Sequence, residues 1–421
     1  MDLGVLSLSK AVDFLKRQHR DWRVTVARTS LDKFAYQMVF PYLSIYIVAL
    51  GATVTQLGAV NSVGMIAAGI MGPFTGWFID RIGPKKIYLF GISMLAVSYF
   101  TYGIAQGWLF TIMAMVAYWV GQSVSTHSCA TVCGNALTNE DRATGMTICE
   151  TFAAGLVGMA GPMVGAWLVT AFGGVNVSGI RPLFFFSLII SMSTFMIVLT
   201  QLSDTKWRKA GVGQSNIIHD LYQVLKEGRH LKRWLIISSI NQLPLAVVFP
   251  FSQVFAHEVK GADSFLLGAM VTGSGLASII FSIPLGRAAD KAGRKKVLCM
   301  TIPLFWISNV LLVWSPNRAV LLIAGILQGF YWIGASITAA MERELVPSEQ
   351  MGRWLGILRC FKMLVNASMA FISGMVWDRI GPHYVFLIYV GMDLFLRAPL
   401  LVSMPETLGL RFSKQISAKK P

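Results

Sequence analysis

The sequence predicts an all-α membrane protein with twelve transmembrane helices, arranged as two six-helix bundles around a central cavity. Three observations support this fold class. Apolar residue types make up 55% of the 421 residues and charged types only 13%, whereas soluble proteins carry about 25% charged residues. Apolar runs of roughly the 20 residues that span a bilayer recur twelve times along the chain. A short charged turn occurs twice, 210 positions apart.

One long polar stretch divides the apolar runs into two groups of six. It is rich in Lys and Arg and contains no run long enough to span a bilayer. The expected helices are about 25–50, 56–79, 87–106, 109–134, 144–171, 182–201, 234–257, 264–286, 297–314, 318–341, 354–376 and 383–404. We therefore predict an N-terminal segment at 1–24, a first bundle at 25–201, a linker at 202–233, a second bundle at 234–404 and a tail at 405–421.

The net charge of +16 is distributed unevenly along the chain. Most Lys and Arg residues lie in the termini, the linker and the alternate loops that share one side of the predicted membrane. This positive-inside pattern predicts a multi-pass protein of the cytoplasmic (inner) membrane with both termini in the cytoplasm. The anionic surface of the lipid bilayer is the expected partner of the excess charge. Nucleic acid is not an expected partner, because no segment is long enough to form a soluble basic module.

The repeated charged turn marks an internal duplication. The first copy includes Gly76, Asp80, Arg81, Gly83, Lys85 and Lys86, and the second includes Gly286, Asp290, Gly293, Arg294 and Lys295. The segments 57–86 and 267–296 align without a gap, and 10 of their 30 positions are identical. Gly51 and Gly261 keep the same offset further upstream. In transporters, a parallel duplication of this kind implies two bundles with a substrate site between them.

These turns resemble the signature that the major facilitator superfamily carries between its second and third helices and again between its eighth and ninth. The Gly and Pro residues of the fifth span, Gly158, Gly161, Pro162 and Gly165, resemble the Gly-Pro motif of the antiporter branches. The resemblance extends along the whole chain. It implies a twelve-helix transporter of a small-molecule substrate that works by alternating access, driven by a proton or another coupling ion. A monomer is the expected form.

The aspartates of the two turns are the predicted gating residues. Asp80 and Asp290 can cap a helix N-terminus or pair with a nearby Arg, and such bonds would hold the cytoplasmic side closed. By resemblance, the charge clusters of the two halves are completed by Arg142 and Arg353, with Glu342 or Glu344. The alternative interpretation is topological, since Lys residues in a cytoplasmic turn are retained by lipid charge in any case.

The two turns are not equal. The first copy carries the bulky Trp77 and the rigid Pro84, and it departs at both places from the fuller second copy. Proline fixes its own backbone dihedral, so the first turn is expected to be stiffer. We expect the first of the two cytoplasmic latches to be the weaker one.

Ionisable groups within the spans are further candidates. A charge at the centre of a bilayer costs roughly 2.5–3.5 kcal/mol on insertion scales, so each needs a partner or a purpose. Asp32 in the first span and its repeat mate Asn241 in the seventh are predicted cavity residues. The alternative for Asp32 is a local pair with Arg28, four residues earlier. Asp393 and Arg397 in the twelfth span are also four apart and are expected to satisfy each other.

Glu150 in the fifth span is the predicted proton carrier. No basic residue lies three or four positions from it, and a buried carboxyl group without a local partner can take up a proton. Arg359 and Lys362 share one face of the eleventh span, where they suit an anionic group of the substrate or two acidic partners. An inter-helix pair with one of these two is the alternative for Glu150.

Aromatic residues of the fourth and tenth spans are candidates for a stacking wall around an amphipathic or aromatic substrate. They are Tyr118, Trp119, Phe330, Tyr331 and Trp332. Anchoring at the membrane interface is the alternative, but these residues lie in the middle of their spans. We therefore predict that they line the cavity.

The fourth span also contains His127, Cys129 and Cys133. Imidazole and thiol groups can bind soft metals, but His127 and Cys129 are two positions apart and face different sides of a helix. The expected arrangement is small apolar packing for the Cys residues and one hydrogen bond for His127, which keeps His127 among the cavity candidates. No metal site is predicted.

Catalytic motifs and cofactor-binding motifs are not found. The chain has no Walker-type phosphate loop, and its polar loops supply no Ser/His/Asp set, so neither an enzyme nor a cofactor is expected. The predicted function is proton-coupled efflux of an amphipathic compound. Proton- or ion-coupled uptake of an anionic small solute is the alternative. A non-transporting membrane sensor is a remote one, because both turns keep their gating charges.

Overall fold

The computed structural model describes residues 18–138, 145, 149, 154–204, 229–344, 351–404 and 406–407. These residues form twelve helical segments and no strand. The first six are α1 (Arg20–Ala49), α2 (Val54–Ile82), α3 (Pro84–Ile104), α4 (Trp108–Ala136), α5 (Ala154–Ala171) and α6 (Val177–Gln201). The last six are α7 (229–259), α8 (Ser264–Ala292), α9 (Arg294–Trp314), α10 (Arg318–Glu344), α11 (Met351–Arg379) and α12 (Pro382–Ser403).

Ten of the described helices are long and apolar enough to cross a membrane by length and composition. In α5 the apolar stretch Val157–Ala171 is shorter, and α1 is less apolar because its first half carries several charged side chains. The predicted all-helical membrane protein is confirmed. α1 begins at Arg20 rather than at 25, and α7 at Arg229 rather than at 234. The predicted domain boundaries otherwise stay predictions.

The packing of α1–α6 is repeated by α7–α12. α3 packs against α4 and α6, as α9 packs against α10 and α12. α1 packs against α5, as α7 packs against α11. Between the two halves, α2 packs along α11 and α5 packs along α8. Since α8 corresponds to α2 and α11 to α5 in the repeat, these two contacts are equivalent. The described helices therefore form two similar groups of six, as the duplication predicts.

The connections between helices follow the repeat in their backbone conformation. Gly83 and Gly293 have φ angles of 99° and 109°, and Gly51 and Gly261 have 94° and 67°. Positive φ carries no steric cost for glycine alone, so each of these positions requires Gly. Each of the two charged turns thus reverses the chain at a single residue that ends one helix and precedes the next.

We call the end of the molecule that carries the two charged turns the basic end, and the other the opposite end. At the opposite end the two halves touch closely. A Cβ at Gly58 of α2 would lie 2.5 Å from the carbonyl oxygen of Ala370 in α11, and Thr55 N donates to Asp378 Oδ2 at 2.7 Å. The α5–α8 contact is closed there as well, because the hydroxyls of Thr170 and Ser264 are hydrogen-bonded at 2.7 Å.

Contacts between the described residues of the two halves become fewer toward the basic end. A Cβ at Gly69 would still lie 3.2 Å from the side chain of Met363. At Gly72 and Gly76 of α2, and at Gly286 of α8, the Cβ position has no described heavy atom within 4 Å. The halves are therefore joined at the opposite end and further apart at the basic end.

Candidate functional site

A cavity of about 320 Å³ lies between the two halves. Its walls come from α1, α2, α4 and α5 of the first half and from α7, α8 and α10 of the second. This volume lies at the lower end of the roughly 300–1,000 Å³ that is typical of small-molecule sites. The cavity occupies the place between the bundles that the duplication predicts, and it is the candidate substrate site.

Aromatic rings form much of the cavity wall. The aromatic residues of the lining are Tyr36, Phe40, Tyr118, Trp119, Phe249 and Trp332. In the first half Tyr36 stacks on Tyr118, and in the second half Phe249 stacks on Trp332, each with ring centroids 5.5 Å apart. Phe40 lies 6.5 Å from Phe249, centroid to centroid, and so connects the two groups. We call these six residues the aromatic wall.

Two of the five predicted aromatic residues do not line the cavity. Tyr331 lies behind the aromatic wall, with its ring centroid 5.2 Å from that of Phe249 and 5.6 Å from that of Phe305. Phe330 packs against Phe281 at 5.4 Å. Consecutive residues of a helix are rotated by about 100°, so three in a row cannot all face one cavity. Of these three, Trp332 takes the position facing the cavity, and Phe330 and Tyr331 do not.

Two glutamines of the second half bring unpaired polar atoms to the cavity lining. Gln253 and Gln328 are 2% and 3% exposed. Gln253 Oε1 and Gln328 Nε2 have no hydrogen-bond partner among the described residues. Leaving a buried polar atom unpaired costs about 1–3 kcal/mol. A substrate or water that bonds to these amides would remove that cost, so they are candidate substrate contacts.

Lys33 of α1 is the charged side chain in the described part of the lining. No carboxylate accompanies it there, and no described residue pairs with its ammonium group. Sequence reasoning did not single out Lys33 or Gln37. Their spacing with Phe40 and Ser44 is four, three and four residues, which places them all on one helix face. This helical spacing is the sequence pattern from which Lys33 and Gln37 could have been predicted.

Asp32 lies against Arg28 rather than in the cavity. Arg28 Nη2 is 3.5 Å from Asp32 Oδ1, and both side chains are buried. The guanidinium group of Arg28 also lies over the ring of Tyr88, 5.0 Å from its centroid. The local pair with Arg28 is therefore present. Asp32 was expected to line the cavity, but it is not among the described lining residues.

Asn241 belongs to a buried ionic cluster. Its Oδ1 accepts a hydrogen bond from Arg397. Arg397 Nε lies 2.6 Å from Asp393 Oδ1, and Trp306 Nε1 donates to Asp393 Oδ2 at 2.6 Å. The predicted pairing of Asp393 with Arg397 is confirmed. Asn241 is not among the described residues that line the cavity, and its amide oxygen is taken up by this pair.

Arg359 and His127 form a contact between the two halves. His127 Nε2 lies 3.0 Å from Arg359 Nη1, and His127 Nδ1 lies 2.7 Å from the carbonyl oxygen of Ser123. Since a carbonyl can only accept, Nδ1 carries the proton and Nε2 accepts from Arg359. The two residues stand nearer to the basic end than the cavity does. Contrary to expectation, they connect α4 with α11 and do not line the cavity.

Lys362 is paired within the second half. Its Nζ lies 2.5 Å from Glu342 Oε1, which also accepts from the hydroxyl of Ser238. Trp354 Nε1 donates to the backbone carbonyl of Glu342 at 3.1 Å. The acidic partner that the sequence left open is therefore Glu342, which was assigned to the turn cluster. Lys362 joins α10 to α11 and is not available to a substrate in the cavity.

The second charged turn is fixed to the ends of α10 and α12. Arg294 Nη2 lies 3.0 Å from Glu344 Oε1 and 3.6 Å from Asp290 Oδ1. The carboxylate of Glu406 accepts from the backbone N of Arg294 at 3.0 Å and of Lys295 at 3.1 Å, so it caps the start of α9. Lys295 Nζ in turn donates to backbone carbonyls at the end of α12, at 2.5 and 2.8 Å.

Among the described side chains, two contacts are made by the charged groups of the first charged turn. Lys85 Nζ lies 3.9 Å from Asp204 Oδ2, and the Asp204 side chain is 77% exposed. The guanidinium group of Arg81 lies over the ring of Trp77 at 4.1 Å. The expectation that the first latch is the weaker stays a prediction.

The side chains of four predicted residues are not described in the structure. Asp80 and Arg353 lie on α2 and α11, but their side chains are not among those described. Arg142 and Glu150 lie outside the described residues. Their assignments to gating and to proton transfer stay predictions.

A family model described as Major Facilitator Superfamily matches residues 29–267 and 234–417. The chain belongs to the major facilitator superfamily. The Multidrug resistance protein MdtG of Escherichia coli O9:H4 (strain HS) is 25% identical over 378 residues, which cover 86% of this chain and 88% of that protein. Members of this superfamily are transporters and not enzymes, so the protein is a membrane transporter.

Solved structures agree with the fold. The nucleoside transporter NupG superposes with a TM-score of 0.74 at 17% sequence identity, over 91% of this chain and 99% of that chain. A D-xylose-proton symporter gives a TM-score of 0.71 at 14% identity, over 92% of this chain and 98% of that one. At these identities the likeness shows the fold alone.

The Gly-Pro motif of α5 sets the distances between three helices of this superfamily fold. A Cβ at Gly161 or Gly165 would lie 2.7 or 2.4 Å from a carbonyl oxygen of α1. The carbonyl oxygen of Pro162 would likewise meet a Cβ at Gly268 of α8, at 2.7 Å. Gly158 faces the α1 stretch that carries Lys33, with its nearest atoms at 3.6 Å. The motif thus holds α1 and α8 close beside the cavity.

Proposed function

We propose that this protein is a proton-coupled exporter of amphipathic compounds that contain an aromatic ring. The observation that carries the proposal is the aromatic wall, which places a stacked pair in each half of one cavity. Aromatic pairs add about 0.5–1.5 kcal/mol beyond the burial of apolar area. The wall therefore suits a flat ring held between the halves, and the unpaired amides of Gln253 and Gln328 suit one or two polar atoms on the same compound. The name of the relative MdtG supports multidrug efflux as the class.

The orientation in the membrane is part of the proposal. The basic end is assigned to the cytoplasm because Lys and Arg near the ends of membrane spans are retained there, which puts both termini in the cytoplasm and the chain in the inner membrane. The α2–α11 and α5–α8 contacts then close the outer side. Export requires these contacts at the opposite end to open while the basic end closes, with the helices 25–201 and 234–404 moving as two bundles. A monomer carries out the whole cycle.

The contact between His127 and Arg359 is the proposed point of proton coupling. A neutral His127 accepts from Arg359 through Nε2, 3.0 Å away. A proton at that nitrogen would replace the acceptor with a second positive charge and break the contact between α4 and α11. Histidine is the side chain whose charge changes most readily near neutral pH. In the described part of the chain, the groups facing His127 are Arg359 and Ser123. Glu150 remains the second candidate for the proton site.

Replacing Trp332 with Ala tests the aromatic wall. We expect the affinity for aromatic amphipathic dyes to fall about tenfold, since Phe249 loses its stacking partner and 1.4 kcal/mol corresponds to a factor of ten. Binding is measured by fluorescence titration of the purified protein with neutral, cationic and anionic dyes. Export is measured as dye exclusion by cells that express the protein.

Trp314→Ala is the matched control. Trp314 ends α9, is 62% exposed and does not line the cavity, so binding and export are expected to stay at the wild-type level. Equal losses in the two variants would contradict a specific role of the wall. Accumulation of the dyes in expressing cells, in place of exclusion, would reverse the proposed direction.

A second candidate function, transport of an anionic solute, is favoured by Lys33. It is the charged residue of the described lining and stands without a carboxylate beside it. Arg359 and Lys362, which first suggested an anionic solute, are paired with His127 and Glu342. Lys33 of α1 is therefore the residue that supports this candidate. A cavity with this single positive charge favours anionic and neutral compounds over cations.

Replacing Lys33 with Gln tests the charge preference. The variant is expected to bind anionic dyes about tenfold more weakly, because a charge-assisted hydrogen bond contributes about 1.5–3 kcal/mol. Binding of neutral dyes should change little. Lys33→Arg keeps the charge and should keep the preference for anions. An unchanged ratio of anionic to neutral binding in Lys33→Gln would rule out Lys33 as the selective group.

A further inference from the structure

Three cysteines from two parts of the chain meet near the basic end of the first half. Cys129 and Cys133 lie one turn apart on α4, and Cys149 precedes α5. Cys149 Sγ is 3.6 Å from Cys133 Sγ and 3.9 Å from Cys129 Sγ, and all three sulfurs lie within 4.8 Å of one another. The side chains are 8%, 1% and 0% exposed in chain order. We call this group the thiol cluster.

Two of the three sulfur separations in the thiol cluster are close to those of a metal site. With a metal–sulfur distance of about 2.3 Å, sulfurs at the corners of a trigonal or tetrahedral site lie roughly 3.8–4.0 Å apart. The two measured separations that involve Cys149 fall close to this range. A single ion could thus be bound with small side-chain rotations. Thiolate ligands select soft ions such as Cu(I) and Zn(II) over Mg(II) or Ca(II).

A buried cation beside the thiol cluster supplies the second observation. Arg28 is 3% exposed, and its Nε and Nη2 atoms have no hydrogen-bond partner among the described residues. It is near enough to Cys129 to interact with it electrostatically. The Thr29 hydroxyl lies 3.6 Å from Cys129 Sγ. Arg28 Nη2 is paired with Asp32 at 3.5 Å, but Nε has no partner among the described residues, so a negatively charged metal–thiolate group would gain from this donor.

We propose that Cys129, Cys133 and Cys149 bind one soft, thiophilic metal ion. Binding forms three sulfur–metal bonds and releases the thiol protons to water, with no change of oxidation state. The ion is held in place and is not the transported substrate, because no member of the thiol cluster is among the described residues that line the cavity. The metal fixes Cys149, and with it the chain that leads into α5, to the end of α4.

The spacing of residues within α4 alone does not predict this metal site. His127 and Cys129 do face different ways, and His127 contacts Arg359 instead. Cys149 stands sixteen positions beyond Cys133 in another part of the chain, so local spacing gave no reason to add it. The proximity of Cys149 to the end of α4 brings the third thiol into place.

Cadmium binding tests the proposal on the reduced, full-length protein in detergent. Cd(II) is soft and redox-inert, and thiolate–Cd bonds give an ultraviolet charge-transfer band. We expect one Cd(II) per chain after gel filtration, measured by elemental analysis, together with this band and a higher melting temperature. Mn(II), a harder ion, should give none of these. X-ray absorption on the wild-type complex should count three sulfur ligands, which does not depend on any variant folding.

Serine variants locate the site. Each of Cys129→Ser, Cys133→Ser and Cys149→Ser should weaken Cd(II) binding more than tenfold. The double variant Cys299→Ser/Cys360→Ser is the control and should keep one tightly bound ion. No bound Cd(II) in the wild type, fewer than three sulfur ligands, or one tight ion retained when all three cluster residues are Ser would each overturn the proposal.

Discussion

Replacing Arg397 with Met is expected to lower the free energy of unfolding by about 3–5 kcal/mol, the cost of removing one partner of a buried ion pair. Asp393 is 0% exposed and would lose its cationic partner, which leaves Trp306 as its donor among the described residues. Asn241 would lose its donor as well. Thermal or denaturant unfolding of the purified protein measures the loss.

The chain offers a matched control and a rescue. Arg318 and Asp263 form an ion pair at 3.2 Å whose side chains are 73% and 50% exposed. Such surface pairs contribute about 0–1 kcal/mol, so Arg318→Met should change stability little. The double variant Asp393→Leu/Arg397→Met removes both buried charges and should recover most of the loss. A loss as large in the double variant as in the single one would mean that packing, not the stranded charge, is responsible.

Replacing His127 with Gln is expected to slow transport driven by a pH gradient at least tenfold. Gln can still accept a hydrogen bond from Arg359, but it does not take up a proton near neutral pH. Breaking a hydrogen bond to a charged group is worth about 1.5–3 kcal/mol, which sets the size of the effect. The measurement is dye transport by proteoliposomes with and without an imposed pH gradient.

The expected pattern in His127→Gln is selective. Exchange of dye without a pH gradient should stay near the wild-type rate, because the cavity is not altered. His383→Gln is the control, since His383 lies at the opposite end, is exposed and packs its ring against Phe255. If gradient-driven transport in His127→Gln matched the wild type, the coupling role would pass to Glu150, for which Glu150→Gln is the corresponding variant.

Local patterns predicted the features of the fold that depend on short stretches of chain. The repeat of the charged turn gave the positions of Gly83 and Gly293, and both have the positive φ that makes Gly necessary. The spacing of four residues on a helix predicted the Asp393–Arg397 pair, and it indicated Arg28 as an alternative partner of Asp32. In each case the partners lie within one turn of helix or one reversal of the chain.

Contacts between residues on different helices cannot be predicted from such local spacing. Asn241 meets Arg397, and Lys362 meets Glu342, because α7, α10, α11 and α12 converge. The aromatic residues were assigned to the cavity by their depth in the membrane, but the rotation of α10 decides that Trp332 faces it and Tyr331 does not. Depth can be read from hydropathy, whereas helix rotation and the choice of neighbour depend on tertiary packing.

Locking the opposite end closed tests the central claim, which is that one cavity between two moving halves carries the substrate. Thr55 and Asp378 touch across α2 and α11, so Thr55→Cys/Asp378→Cys can be bridged by a short, reducible bifunctional thiol reagent. Lys260 and Ser315, which are in contact within the second half, provide the control pair. We expect the Thr55–Asp378 bridge to abolish dye transport and to leave dye binding intact. Reductant should restore transport, and the control bridge should change transport little. Full transport with the Thr55–Asp378 bridge in place would contradict the central claim.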